Sequence, residues 1–208
     1  MKISIRGFIT SKMAEQYSDC ADNYAVSTQN HRFSISDGVS KSFFPKEWSE
    51  ILTNYYVERT DLNDNELILA CQNEWQKRID EKVSSSETKW FTKTQYNRKD
   101  PALATFLGLK FNENEKTWDA WALGDTFLFF IPKNFKSYLN DLIIFSSKPT
   151  PYKFDNFPDY LTSVGTLHKG RPKTYNRNLR NGEFFLMTDA LAEWFINEGE
   201  NAINELRS

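Results

Sequence analysis

The chain has 208 residues, of which 39% are hydrophobic and 15% aromatic, and its formal net charge is −2. This length and apolar content predict a single folded domain and exclude a disordered chain. The small net charge gives no indication of a nucleic-acid partner. No apolar run is long enough to cross a membrane, and the N-terminus lacks the apolar segment of a signal peptide. Cys20 and Cys71 fit neither a disulfide framework nor a zinc cluster, so we expect reduced thiols in a cytoplasmic protein without a membrane partner.

Alternating apolar residues predict strands in the first part of the chain. The predicted strands cover residues 2–10, 20–26 and 32–35. Residues 29–30 are typical of a hairpin turn between the second and third strands. Asp22 and Asp37 would then lie near the ends of paired antiparallel strands, where two acids that are distant in sequence can meet.

Two amphipathic helices are predicted next, over residues 45–59 and 66–83, because apolar residues recur there every three or four positions. Pro45 is suited to the first turn of the first helix. The polar residues 61–65 end that helix and cap the second. The short joint predicts an antiparallel helix pair laid on a sheet.

Strand patterns return in the second half of the chain, and a final helix follows them. The predicted strands cover residues 102–111, 117–123, 126–131, 139–145 and 183–187. Gly124-Asp125 is predicted to be a tight turn, and residues from 190 onward are predicted to form a helix. Residues 168–180 are predicted to be a basic loop, which either attracts a phosphorylated substrate or is simply solvated.

Four aspartates share one local setting, in which each lies near a strand end beside a turn or a helix start. They are Asp22, Asp37, Asp125 and Asp189. Neither histidine nor cysteine accompanies them at the spacing of zinc ligands. Carboxylate and carbonyl oxygens suit Mg²⁺ or Mn²⁺, and two such ions can activate a bridging water and hold a phosphoryl group for in-line attack. The alternative is that the Asp-Gly and Gly-Asp pairs are ordinary turns.

Five short motifs occur in a specific order. They are Asp-Asn-Tyr-Ala-Val at 22–26, Ser-Asp-Gly-Val-Ser at 36–40, Ala-Thr-Phe-Leu-Gly-Leu at 104–109, Ala-Leu-Gly-Asp-Thr at 122–126 and Leu-Met-Thr-Asp-Ala-Leu at 186–191. In this order and spacing they resemble the protein phosphatase 2C family, in its compact bacterial branch, over nearly the whole chain.

The resemblance implies an α+β fold, a four-layer αββα sandwich in which two antiparallel sheets are flanked by helix pairs. It implies a single domain over residues 1–208. The family's final strand and last metal-binding motif have no match in this sequence, so either that ligand is absent or another arrangement replaces it. It also implies a metal-dependent phosphatase that acts on phosphoserine or phosphothreonine in proteins, with a Ser/Thr kinase as its counterpart. Two or three Mg²⁺ or Mn²⁺ ions would activate a water that attacks the phosphoryl group directly.

The resemblance also implies roles for individual residues. Asp37 would bridge two metal ions and serve water activation, and Gly38 would offer its backbone carbonyl to one of the ions. Asp189 would bind the other ion. Asp22 would hold a metal or its waters, and Asp125 would belong to an additional metal site.

Two functional hypotheses follow from the match and its departures. The first is an active metal-dependent phosphatase, favoured by Asp37, Asp125 and Asp189. The second is a catalytically inactive binding or regulatory module that keeps the sandwich. It is favoured by Ala21, where the family often has an acid or amide, and by the absence of the family's last acid from these 208 residues. Val39 stands where many members have a histidine, although bacterial relatives often lack it.

Overall fold

The structure is a computed structural model that describes residues 2–10, 16, 19–154, 158–166 and 168–207. The strands are β1 (Asp22–Ser27), β2 (Arg32–Asp37), β3 (Leu103–Ala104), β4 (Phe106–Asn112), β5 (Thr117–Leu123), β6 (Phe127–Pro132), β7 (Ile143–Phe145), β8 (Leu161–Thr162), β9 (Lys173–Asn178) and β10 (Gly182–Met187). The helices are α1 (Pro45–Glu58), α2 (Asp64–Val83), α3 (Trp90–Asn97), α4 (Tyr138–Asp141), α5 (Asp189–Glu198) and α6 (Glu200–Arg207).

Two antiparallel sheets form the centre of the described part of the chain. The large sheet has five strands in the order β1-β2-β4-β5-β9, and the small sheet has three in the order β10-β6-β7. A two-stranded ladder of β3 and β8 lies beside them. The β5–β6 connection carries the chain from the large sheet into the small one, so its turn lies at one end of both.

Apolar side chains on both faces of each sheet produce four layers. On β6 every residue is buried, because Leu128 and Phe130 face the large sheet while Phe127 and Phe129 face the helices on the other side. The sequence of a strand that is buried on both faces is a continuous apolar run and does not alternate between apolar and polar residues.

Three hydrophobic clusters fill the spaces between the layers. The first packs α1 and α2 against the large sheet and includes Trp48 and Trp121. The second lies between the sheets and includes Trp118. The third packs the small sheet against α5 and α6 around Phe195. The predicted αββα sandwich is therefore confirmed.

Local sequence signals explain where the first helix pair begins. Pro45 is the first residue of α1, where its missing N–H costs no hydrogen bond. The Asn63 side chain accepts from two N–H groups of α2, and Glu66 accepts in return from the Asn63 N–H, which completes a capping box.

Two strand and loop predictions are wrong. Residues 2–10 form no strand, because Phe8 is 88% exposed and the segment lacks a continuously buried face. The predicted basic loop contains β9, which pairs with β5 at the outer side of the large sheet. An outer strand with mostly exposed, polar residues has no apolar alternation that a sequence pattern could reveal.

Two boundary predictions also need correction. The predicted strand over residues 139–145 divides into the short helix α4 and the strand β7. The predicted C-terminal helix divides at Gly199, whose positive φ of 59° ends α5 before α6 begins.

Candidate metal centre

Asp22 and Asp37 occupy opposite positions in the antiparallel ladder of β1 and β2. Paired residues of neighbouring strands project from the same face of a sheet. That face is the one turned toward the small sheet, because Phe33 and Ile35 on β2 pack into the cluster between the sheets. Both aspartates are half-buried, so two carboxylates share one partly desolvated position at the end of the hairpin.

The backbone around Asp37 is held from the next strand. The Thr105 N–H donates to the Asp37 carbonyl at 2.9 Å, and the Asp37 N–H donates to the Thr105 hydroxyl at 3.2 Å. These bonds fix the direction in which the chain leaves β2.

Gly38 allows the first turn of α1 to approach the end of β2. Its N–H donates to the Ala21 carbonyl at 3.2 Å. A β-carbon at this position would lie 2.7 Å from the Pro45 carbonyl oxygen and 2.9 Å from the Ala21 β-carbon. Ala21, the departure noted in the sequence, is therefore a packing neighbour of Gly38.

The start of α1 is also tied to β1 by hydrogen bonds. The Asn23 amide donates to the Ser49 hydroxyl at 2.6 Å, and that hydroxyl donates to the Ala21 carbonyl at 2.5 Å. Ser49 is fully buried. The helix thus holds both neighbours of Asp22, Ala21 through its carbonyl and Asn23 through its side chain.

The Gly124-Asp125 turn lies against the same Thr105 that holds Asp37. Gly124 has a φ of +101°, and a β-carbon there would lie 2.7 Å from the Thr105 side chain. Asp125 is only 3% exposed. The ammonium group of Lys148 lies 3.8 Å from Asp125 Oδ2, so a cation of the chain itself already stands beside this carboxylate.

Asp189 is the first residue of α5 and follows the end of β10. Its Oδ1 accepts from the Ala190 N–H at 2.7 Å. A carboxylate at the N-terminus of a helix is stabilised by the helix dipole. Met187 pairs with Phe127 in the small sheet, which places Asp189 at the same end of the sandwich as Asp125.

The topology thus brings the four predicted aspartates to one end of the sandwich, but only two of them lie directly opposite each other in a strand ladder. Asp22 and Asp37 face each other directly. Within the described ranges, no group of three or more His, Cys, Asp or Glu side chains is close enough to hold a metal ion. The oxygen donors at Asp22, Asp37 and Gly38 fit Mg²⁺ or Mn²⁺ in their chemistry, because Mg²⁺ commonly uses one or two carboxylates and keeps several waters.

Sequence reasoning missed Lys148 as a neighbour of Asp125. Lys148 follows β7 in an irregular segment with several prolines, and no motif or spacing connects it to the Gly-Asp turn. Only the three-dimensional path of the chain brings the two charges together.

Solved structures of phosphatases have the same architecture. The catalytic domain of the serine threonine protein phosphatase PstP, in complex with two manganese ions, matches with a TM-score of 0.54 and 12% identity over 92% of this chain and 77% of that one. RsbX in complex with magnesium matches with a TM-score of 0.53 and 14% identity over 95% and 83%. The chain has the protein phosphatase 2C fold.

The photosystem II phosphatase PBCP also has this phosphatase 2C fold, with a TM-score of 0.51 and 16% identity. The match covers 86% of this chain and spans 66% of the length of that phosphatase. No protein-family model and no curated protein matches the sequence. The resemblance deduced from the five motifs is therefore confirmed through the fold.

None of the helices in the described ranges is both long enough and apolar enough to span a membrane.

Proposed function

We propose that this chain is a metal-dependent protein phosphatase that removes phosphate from phosphoserine or phosphothreonine. The proposal depends on the facing pair Asp22 and Asp37, which lies at one end of the sandwich. The chain shares the fold of this sandwich with solved phosphatases. Two carboxylates in this position concentrate negative charge at a partly desolvated place, where a hard divalent cation is the natural counter-ion.

The proposed metal ligands are those expected from the sequence. Asp22, Asp37 and the Gly38 carbonyl would hold Mg²⁺ or Mn²⁺, with Asp189 and Asp125 as ligands of a second and a third ion. A divalent ion bound in such a centre lowers the pKa of a bound water and stabilises charge on phosphoryl oxygens. The first solved relative contains two manganese ions and the second contains magnesium, which supports this choice of metal.

The residues of the chain have positioning roles in this proposal. Thr105 fixes the backbone of Asp37 through two hydrogen bonds, and Gly38 leaves space for the first turn of α1. This arrangement fixes the Asp37 backbone opposite Asp22 and so lowers the entropic cost of ordering the site when a cation binds.

The biological setting is part of the same proposal. The substrates would be phosphorylated proteins in a bacterial signalling pathway, with a Ser/Thr kinase as the opposing enzyme. A cytoplasmic location is supported by Cys20 and Cys71, which are both buried free thiols.

A second candidate is a phosphatase-like binding module without catalysis. It is favoured by Lys148, because an ammonium group beside the buried Asp125 occupies the position of a cation. A module of this kind would keep the sandwich and recognise a phosphorylated partner without hydrolysing it.

The deciding experiment measures hydrolysis of a phosphothreonine peptide with and without Mn²⁺. The proposal expects activity that requires the metal and is lost in Asp37→Asn. Asp61→Asn, which removes an exposed acid far along the chain from the aspartate cluster, is the matched control and should stay active. A folded protein that neither hydrolyses the peptide nor binds Mn²⁺ in calorimetry would overturn the enzyme proposal and leave the binding module.

A further inference from the structure

A cavity of about 340 Å³ lies on the helix-facing side of the large sheet, away from the four aspartates. Its floor comes from β2, β4, β5 and β9, and its cover from α1 and the start of α2. The residues that matter are Arg32, Tyr56, Lys110, Asp119, Trp121 and Asn176. Arg32 and Asp37 stand at opposite ends of β2, roughly 16 Å apart at the usual rise of a strand. We call this space the Arg32 cavity.

The floor of the Arg32 cavity is a row of polar residues that crosses four strands. Arg32 pairs with Lys110, Lys110 with Asp119, and Asp119 with Asn176. Paired residues project from the same face, so all four point toward the helices. The same face also carries large apolar residues, among them Trp121 and Phe106. A polar row beneath a helix layer therefore needs a reason other than packing.

Arg32 is the unusual member of the row, because it is a buried cation that forms no ion pair with the described residues. The residue is 8% exposed, and its Nη1 donates to the Tyr56 carbonyl at 3.0 Å. Its Nε is buried and finds no hydrogen-bond partner in the described part of the chain. A buried donor without a partner is costly, so the position of Arg32 calls for an explanation.

Lys110 adds a second positive charge directly beside Arg32. Among the described residues, no carboxylate lies within 4.0 Å of either cation. Arginine and lysine on neighbouring strands repel each other unless an anion lies between them. The row therefore holds two adjacent cations, neither of which has a carboxylate of the described residues within ion-pair distance.

Two acids border the cavity and offset part of this charge, but neither forms an ion pair with Arg32 or Lys110. Asp119 already accepts hydrogen bonds from the amides of Asn112 and Asn176. Asp64 lies at the rim, in the first turn of α2, where burial raises its pKa and the nearby charge of Arg32 opposes that rise. Burial raises the pKa of the Tyr56 phenol, so it stays neutral and adds no negative charge.

We propose that the Arg32 cavity binds a small molecule through an oxyanion, a phosphate or a carboxylate group, that Arg32 and Lys110 hold together. The Arg32 guanidinium and the Lys110 ammonium each donate a charge-assisted hydrogen bond to the oxyanion. The volume suits a small metabolite. This binding site is separate from the candidate metal centre and does not depend on phosphatase activity.

The experiment uses ¹⁵N-labelled full-length protein in buffer with MgCl₂, titrated separately with inorganic phosphate, acetate and chloride. Chloride controls for ionic strength. We expect phosphate, acetate or both to shift the Lys110 and Asp119 amides and the Trp121 indole N–H. Arg32→Gln and Lys110→Gln should each weaken this binding about tenfold or more, because a charge-assisted hydrogen bond is lost. Lys133→Gln, an exposed lysine at the end of β6, should bind as the natural chain does.

The pattern of shifts decides between the outcomes. Shifts with phosphate alone identify a phosphorylated ligand, and shifts with acetate alone identify a carboxylate. Shifts confined to Asp22, Asp37 and Gly38 would assign the anion to the metal centre and overturn the proposal. Equal shifts with chloride, or binding unchanged in Lys110→Gln, would overturn it as well. Lys110 is half-buried, so Lys110→Gln remains informative if Arg32→Gln does not fold.

Discussion

Replacement of Gly38 by alanine tests how the end of β2 is packed against α1. The new β-carbon would lie 2.7 Å from the Pro45 carbonyl oxygen and 2.9 Å from the Ala21 β-carbon. Neither atom can rotate away, since one belongs to the backbone and the other is attached to it. Overpacking of this kind costs about 1–3 kcal/mol, and the smaller freedom of alanine in the unfolded chain offsets about 0.4–1 kcal/mol of it. We expect Gly38→Ala to lower the free energy of unfolding by about 1–2 kcal/mol.

Urea unfolding followed by tryptophan fluorescence and far-UV circular dichroism measures this loss. The midpoint should fall while the dependence on urea concentration stays the same. Ala21→Gly in the same chain should relieve only part of the clash, because the Pro45 carbonyl remains. Gly165→Asn is the control for adding a side chain without a clash, because no atom lies within 4 Å of a β-carbon at this position. Asparagine is chosen because it tolerates the φ of +71° better than most residues. A Gly38→Ala variant as stable as the natural chain would refute the close contact between β2 and α1.

Three further predictions concern other layers of the molecule. Phe129→Ala should lower the free energy of unfolding by about 3–5 kcal/mol in chemical denaturation, because its ring is fully buried between the small sheet and α5. Acid should destabilise the fold through His168, whose Nδ1 accepts from the Thr162 N–H at 3.1 Å and whose pKa is lowered by burial. The folded state then binds the proton less tightly than the unfolded state, so stability present above about pH 6.5 falls as the pH drops. Lys148→Gln should increase Mn²⁺ affinity in calorimetry by about fivefold, because a cation beside Asp125 is removed.

Each of these predictions has a control and a contrary outcome. Phe129→Leu should cost less than Phe129→Ala, and a loss below about 1 kcal/mol for the alanine would argue against the third hydrophobic cluster. His168→Ala should have a flatter pH profile of stability, and an unchanged profile would contradict the role of His168. Lys133→Gln should leave Mn²⁺ binding unchanged, and weaker binding in Lys148→Gln would contradict competition at Asp125.

Local sequence signals were sufficient to predict the helices and strands whose residues show a clear apolar period or a clear cap. The strand 117–123 has the bounds of β5, because it lies between two clear turns and the face formed by Trp118, Ala120 and Ala122 is wholly apolar. The helix from Pro45 and the capping of α2 follow from chemistry within a few residues. The hairpin that pairs Asp22 with Asp37 was predictable for the same reason, since its two strands and turn are contiguous in sequence.

Contacts between distant segments were not predictable from the sequence. The layer order depends on β5 and β6 entering different sheets, and nothing in the residues themselves states which sheet a strand joins. The Lys148 ammonium reaches Asp125 across 23 positions of the chain, and the polar row from Arg32 to Asn176 exists only after four strands align. The polar row arises from strand register, which a single sequence specifies weakly for polar residues, and the Lys148 contact arises from the path of an irregular segment.

The basic composition of β9 has a consequence for how the molecule behaves in a crowded solution. β9 ends the large sheet, and five of its six residues are exposed. An exposed outer strand can add to a strand of another molecule and start an aggregate. Lys173 and Arg177 place like charges along that strand, so two copies repel each other before their backbones can pair. Replacing both with neutral residues should reduce solubility while leaving the melting temperature nearly unchanged. That result would show that the two charges prevent aggregation and contribute little to the stability of the fold.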